Sequence, residues 1–239
     1  MSRAARLALL VAVGVVAALA GRASAPARTV PVDVGIPKIR PWSVVAAARG
    51  RTVAVYRRPG GRRVVMRLRN PNEDGAPRVF LVRANRRHWV RVYLPQRPNG
   101  ATGWIRKRSV RLLKNPYRMR VDLRTRRLLV WRRRQIFLYQ RIGVGRAVTP
   151  TPRGRYFVVS LLQPPDARGP YGPYVFTLSA YSPVLFSFGG GPGQVGIHGT
   201  NDPRGLGRRV SHGCIRVANP TIRRLARLLP LGTPVTIVS

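Results

Sequence analysis

At 239 residues with 44% hydrophobic content, the chain is long enough to bury one large core or two modest ones, and its single cysteine excludes a disulfide framework. Forty-five Lys and Arg against six Asp and Glu give a net charge of +39. Such a surface attracts polyanions, whether nucleic acid, anionic lipid or acidic cell-wall polymer, and charge alone does not choose among them.

Residues 1–25 have the build of an export signal or an N-terminal anchor. A short basic stretch, Ser2-Arg3-Ala4-Ala5-Arg6, precedes an uncharged apolar run from Leu7 to Ala20, and Ala18-Leu19-Ala20 and Ala23-Ser24-Ala25 both fit a small-x-small cleavage pattern. The run falls short of the ~20 residues that span a bilayer. Either reading sends the rest of the chain out of the cytoplasm, to the cell wall or periplasmic space of the envelope. Residues 26–43 carry four prolines (Pro26, Pro31, Pro37, Pro41) and no clear period, as a linker does.

Residues 44–113 read as a small β module. Val53 and Val55, then Val64, Met66 and Leu68, alternate with polar residues, and further runs cover Val79 to Val82, Trp89 to Leu94 and Trp104-Ile105. The closing Gly103-Trp104-Ile105 and Val110 resemble the small SH3-like β-barrel modules of exported bacterial wall enzymes. His88, with no cysteine or acidic cluster beside it, reads as structural.

Lys114-Asn115-Pro116 marks a boundary, and residues 116–239 form the second module. Met119, Val121 and Leu123 alternate with polar neighbours, a polar turn follows around Arg124 to Arg126, and Leu128 to Trp131, Gln135 to Tyr139 and Arg155 to Leu161 are further strand candidates. Asn219 as N-cap and Pro220 at the first helical position open the one convincing helix, with Ile222, Leu225, Leu228 and Leu229 at helical spacing. Pro230 stops it, and Pro234 to Val238 is a final strand. The aromatic, glycine-rich stretch from Gly169 to Gly193, with Tyr174 and Phe186, is a candidate lid.

The chemistry is concentrated near Cys214. Two of the three histidines, His198 and His212, fall with it inside one 17-residue stretch that includes Ser211-His212-Gly213-Cys214-Ile215-Arg216. A free thiol has a pKa near ~8.5, so it needs an imidazole to become a nucleophile at neutral pH. An exported, unpaired thiol framed by histidines and glycines therefore reads as a cysteine acyl-transfer site. His212, two residues from Cys214, is the expected base. Acidic residues are so scarce that a backbone carbonyl, such as that of Ser211, is its expected orienter. Gly213 leaves room for a scissile carbonyl, and the amides of Gly213 and Cys214 are the expected oxyanion donors.

His198-Gly199-Thr200, followed by Ser211-His212-Gly213-Cys214-Ile215-Arg216, resembles the signature of the L,D-transpeptidases, the YkuD domain. The Thr149-Pro150-Thr151-Pro152-Arg153-Gly154 loop and the Leu231-Gly232-Thr233-Pro234-Val235 ending resemble that domain as well. The resemblance covers roughly residues 116 to 239 and implies a mainly β, sandwich-like catalytic domain with one C-terminal helix. It also implies that Cys214 attacks a peptidoglycan stem peptide between an L-centre and a terminal D-residue, releases D-alanine, and passes the acyl group from a thioester to an amine of a neighbouring stem. Many members carry asparagine where this chain has Arg216. Arg216, Tyr174, Phe186 and Thr200 are the expected substrate contacts, Arg216 through a stem carboxylate, with His198 lining the pocket.

Besides a buried thiol in a purely structural cluster, three rivals remain open at this level. The same site with water as acceptor would be an L,D-carboxypeptidase. His198, His212 and Cys214 are also a known zinc ligand set, against which the tight spacing and the absence of a clear carboxylate partner argue, so no metal or cofactor is expected. A non-catalytic basic module binding anionic wall polymer is the third, drawn from clusters such as Arg132-Arg133-Arg134. No recognised nucleic-acid motif is present. The sequence is silent on oligomeric state.

Overall fold

A computed structural model of the protein describes residues 41–239. The expected export signal and nearly all of the expected linker lie outside these residues. Two large antiparallel-rich sheets, one two-stranded sheet, two short 3₁₀ turns and one α-helix make up the regular structure described, so the mainly β expectation holds.

The first sheet comprises β1 (Ser43–Ala48), β2 (Thr52–Tyr56), β3 (Val64–Arg69), β4 (Val79–Asn85), β5 (Trp89–Tyr93), β6 (Thr102–Arg106) and β7 (Val110–Asn115), in the order β3-β2-β6-β5-β4-β1-β7. Its period-two patterning has a direct cause. Successive side chains point to opposite faces, so Val53, Val55, Val90, Val92 and Ile105 are all buried, while Arg67 and Arg69 of β3 stand in solvent.

After Pro116 the chain enters the second sheet. Its elements are β8 (Tyr117–Asp122), β9 (Arg127–Arg132), β10 (Gln135–Arg141), β12 (Gly154–Leu162), β13 (Val175–Tyr181), β14 (Gln194–His198), β16 (Ile215–Arg216) and β17 (Pro234–Val238). A small parallel pair, β11 (Val144–Gly145) with β15 (Arg209–Ser211), stands beside it, and α1 (Asn219–Leu228) precedes β17. The eight strands run β10-β9-β8-β17-β12-β13-β14-β16. The last strand thus lies between β8, which it meets in parallel, and β12, which it meets antiparallel.

Two local expectations are corrected. The glycine-rich stretch from Gly169 to Gly193 is not one lid, because β13 runs through it. Phe176, Leu178 and Ala180 are fully buried there, and that apolar face fixes the segment in the sheet. Asn219 is not the N-cap of α1. Ala218 takes that position with no side-chain cap, and Asn219 is the first helical residue. Its Oδ1 accepts instead from the Thr200 amide at 2.8 Å.

Residues 41–239 fall in one compact unit. Leu81 of β4 packs with Phe157 and Val159 of β12 in a buried cluster, with Tyr93 of β5 against it. Burial of each such side chain stabilises the fold by about 1.5–3 kcal/mol. Two buried amides add directional ties across the same junction. Asn72 donates to the Ser160 hydroxyl at 2.9 Å, and Asn115 donates to the Thr233 hydroxyl at 3.0 Å. Among the described residues no helix is long and apolar enough to cross a membrane.

Candidate active site

The parallel pairing of β14 with β16 builds the site. Ile197 lies opposite Ile215 and His198 opposite Arg216. Both isoleucines are fully buried in the core, so by strand alternation His198 and Arg216 project from the other face. One step back along the same register brings Gly196 opposite Cys214, and the Gly196 amide donates to Cys214 Sγ at 3.4 Å. Cys214, His198, His212, Ser211 and Arg216 line a single cavity of about 180 Å3, closed on its other sides by Tyr171, Leu185, Phe188 and Gln194.

The turn that carries the thiol is held from two sides. The Ser211 hydroxyl donates to the Cys214 carbonyl at 2.6 Å and accepts from the Gly213 amide at 3.1 Å. Gly213 has φ +119°, a conformation that side-chain-bearing residues rarely adopt. From below, Thr151 Oγ1 donates to the Gly213 carbonyl at 2.9 Å, and Thr149 Oγ1 donates to the Ser211 carbonyl at 3.2 Å. The Thr149–Gly154 loop therefore fixes the cysteine turn.

The two histidines sit in different surroundings. His198 is only 3% exposed. Its Nδ1–H donates to the Gly199 carbonyl at 2.7 Å, which leaves Nε2 as the acceptor nitrogen. Tyr171 meets its ring edge-to-face at 5.0 Å. Burial holds its pKa down at about 4, against the raising effect of the Gly199 bond and with the Arg216 charge adding to the depression. His212 is exposed, and its ring lies 5.1 Å from that of Phe188. Burial pushes the Cys214 thiol up, further than the Gly196 amide and Arg216 pull it down. Burial thus favours the uncharged form of both groups.

Several expected roles change with this geometry. The Ser211 carbonyl does not orient His212, because the Arg146 amide at 3.0 Å and the Thr149 hydroxyl already occupy it. The Gly213 amide is engaged by Ser211, which leaves the Cys214 amide as the candidate oxyanion donor. Tyr174 packs against the core of the second sheet. Phe186 is 71% exposed and lies under the Arg97 guanidinium. Thr200 is buried, with its hydroxyl in local hydrogen bonds to Asp202. None of these three lines the cavity, whereas Arg216 does. Its Nε is buried with no hydrogen-bond partner. Among the described residues no group of three His, Cys, Asp or Glu side chains is placed to hold a metal ion.

Reasoning from sequence missed Gly196, the Gly199 carbonyl, Tyr171 and Phe188. The alternation in Gln194-Val195-Gly196-Ile197-His198 signals only the first of these, since it puts Gly196 on the same face as His198.

Residues 116–237 match the L,D-transpeptidase catalytic domain family, YkuD. A Bacillus licheniformis protein that carries the name L,D-transpeptidase YkuD is 38% identical over 122 residues, 51% of this chain and 66% of its own length. Its namesake from Bacillus subtilis is 34% identical over the same shares. The chain thus spans just under two thirds of these relatives. Among solved structures, an Enterococcus faecium L,D-transpeptidase is 25% identical, with a TM-score of 0.40 over 51% of this chain and 49% of that one.

Proposed function

The chain belongs to the L,D-transpeptidase (YkuD) catalytic domain family, and from that premise we propose that it cross-links peptidoglycan stem peptides in the cell envelope through a thioester on Cys214. The observation that carries the proposal is the pairing of β14 with β16. It sets an unpaired thiol and an anchored, neutral imidazole on one wall of one cavity.

The base in this reading is His198. A general base must be unprotonated and correctly turned, and the bond from Nδ1 to the Gly199 carbonyl supplies the second condition while burial supplies the first. As Sγ bonds to the carbonyl carbon, its proton passes to His198 Nε2, and the oxyanion is met by the Cys214 amide. Collapse breaks the C–N bond, and the departing D-residue amine takes the proton from His198. An amine of a second stem then attacks the thioester, gives its extra proton to His198, and Sγ leaves to recover that proton. Arg216, cross-strand from His198, supplies a fixed positive charge for the stem carboxylate.

Tetrapeptide-stem muropeptides incubated with the protein and with Cys214→Ala test the proposal by mass spectrometry. Cross-linked dimers that have lost D-alanine and are absent with Cys214→Ala are the expected result. Trimmed tripeptide monomers alone would establish the carboxypeptidase instead. Products unchanged in a folded Cys214→Ala protein would overturn the cysteine mechanism.

A further inference from the structure

The wall of the cavity opposite β16 is a flap, residues 182–193, that joins β13 to β14. At its tip Phe188 and Gly191 exchange both backbone hydrogen bonds, at 2.9 and 3.0 Å, around Gly189 and Gly190 with φ of +56° and +81°. Positive φ at both central residues defines a tight type I′ hairpin turn. This tip carries Phe188 against the exposed ring of His212. Leu185, further back, also lines the cavity. The flap closes on itself where the Ser182 amide donates to the Gly193 carbonyl at 2.8 Å.

What holds the flap comes from the other sheet. The loop between β5 and β6 reaches across, and Arg97 Nη2 donates to the Leu185 carbonyl at 2.9 Å and to the Pro192 carbonyl at 3.3 Å. One guanidinium thus ties together the two sides of the flap. Its plane stands over two rings at once, 4.9 Å from that of Tyr181 and 4.7 Å from that of Phe186. Two residues on, Asn99 pairs with the Tyr181 backbone, donating to its carbonyl at 2.8 Å and accepting from its amide at 2.9 Å. The Tyr181 hydroxyl donates to the Pro95 carbonyl at 3.0 Å. Seven hydrogen-bond and ring contacts converge on the base of one flap, all from a loop outside the matched catalytic region.

We propose that Arg97 is a positioning residue that holds the flap shut as a wall of the Cys214 cavity, and that this contact sets how the acyl-enzyme is shared between an amine and water. A thioester shielded by Phe188 and Leu185 survives until an amine large enough to bind displaces solvent. A loosened flap admits water, which attacks the thioester carbon, returns its extra proton through His198 and releases a free tripeptide acid. The effect on partition rests on the acyl-transfer reading above. The effect on access to the thiol does not.

Two readouts separate these. Arg97→Ala is expected to raise the rate of Cys214 alkylation by iodoacetamide about tenfold, the scale on which hydrogen bonds from a charged group act. With muropeptide substrate the same variant is expected to lower the ratio of cross-linked dimer to hydrolysed tripeptide by a similar factor. Arg97→Lys, which keeps the charge but cannot span two carbonyls and stack as a plane, is expected to fall between. Asn99→Ala provides an independent route to the same flap should Arg97→Ala fail to fold. Unchanged alkylation and unchanged partition in folded variants of both positions, beside an active parent protein, would overturn the proposal. Faster alkylation with a parent protein that forms no product at all would uphold the clasp and count against the acyl-transfer reading instead.

Discussion

His198, the proposed base, is kept neutral and turned by its surroundings, and the consequence is a particular pH dependence. With its pKa held at about 4, kcat/KM is expected to stay flat through neutrality and to fall only on an acid limb near pH 4. An acid limb near the ordinary histidine pKa of about 6.5 would remove His198 from the role of base. His198→Ala is expected to cost roughly 10²–10⁴-fold in kcat, the usual worth of a general base, and His212→Ala clearly less. The reverse order would again favour His212. The same depressed pKa bears on stability. Between about pH 6.5 and 4 the unfolded chain binds a proton at His198 that the folded chain refuses, so stability falls as pH falls through that window. At this scale the His212-Gly213-Cys214 spacing singled out Cys214, which lines the cavity. It pointed to His212 as base because proximity along the chain is visible, whereas the β14–β16 pairing that brings His198 into the same cavity as Cys214 is a tertiary fact.

The elements show why local patterns were readable and their joints were not. Strand alternation located most of the first sheet and the hairpins β8 to β10, since half-buried strands must repeat every second residue. In β13 four of the seven residues are buried, including three in a row, so the alternation is lost and the surrounding glycines suggested a lid. The start of α1 was misread for a related reason. Asn219 has the chemistry of a cap, but its side chain serves another element. Its Oδ1 holds the Thr200 amide at 2.8 Å, and a Cβ at Gly199 or Gly172 would come within 2.2 or 2.4 Å of that oxygen. This packing of three segments fixes the backbone directly after His198. Asn219→Ala is therefore expected to destabilise the protein by about 1–3 kcal/mol, the cost of an unpaired donor. It is also expected to lower kcat with little change in thiol content. Thermal melts beside single-turnover acylation would show both, and a loss of stability with kcat unchanged would confine Asn219 to a packing role.

Across the whole sequence the net charge is +39. Among the described residues only two ion pairs form, Arg78 with Glu73 and Arg204 with Asp202. The imbalance was legible in composition, but its accommodation was not. Aromatic rings take the place of carboxylates. Arg106 lies over both Tyr56 and Trp89, Arg118 over Trp131 and Lys114 over Trp42. Each such contact contributes about 0.5–1 kcal/mol at exposed sites, and none neutralises charge. Self-repulsion therefore works against the compact state, and salt should relieve it. From 0.01 M to 0.15 M the screening length shrinks from about 30 to 8 Å, so repulsion between well-separated cations is largely removed. The melting temperature of the protein is expected to rise over this range, at roughly 2–4 °C for each kcal/mol of repulsion removed. A multivalent anion such as citrate, at equal ionic strength, should raise it further by binding the folded surface. A melting temperature that instead fell with salt would mean that attractive pairs dominate, which two ion pairs among so many arginines cannot supply.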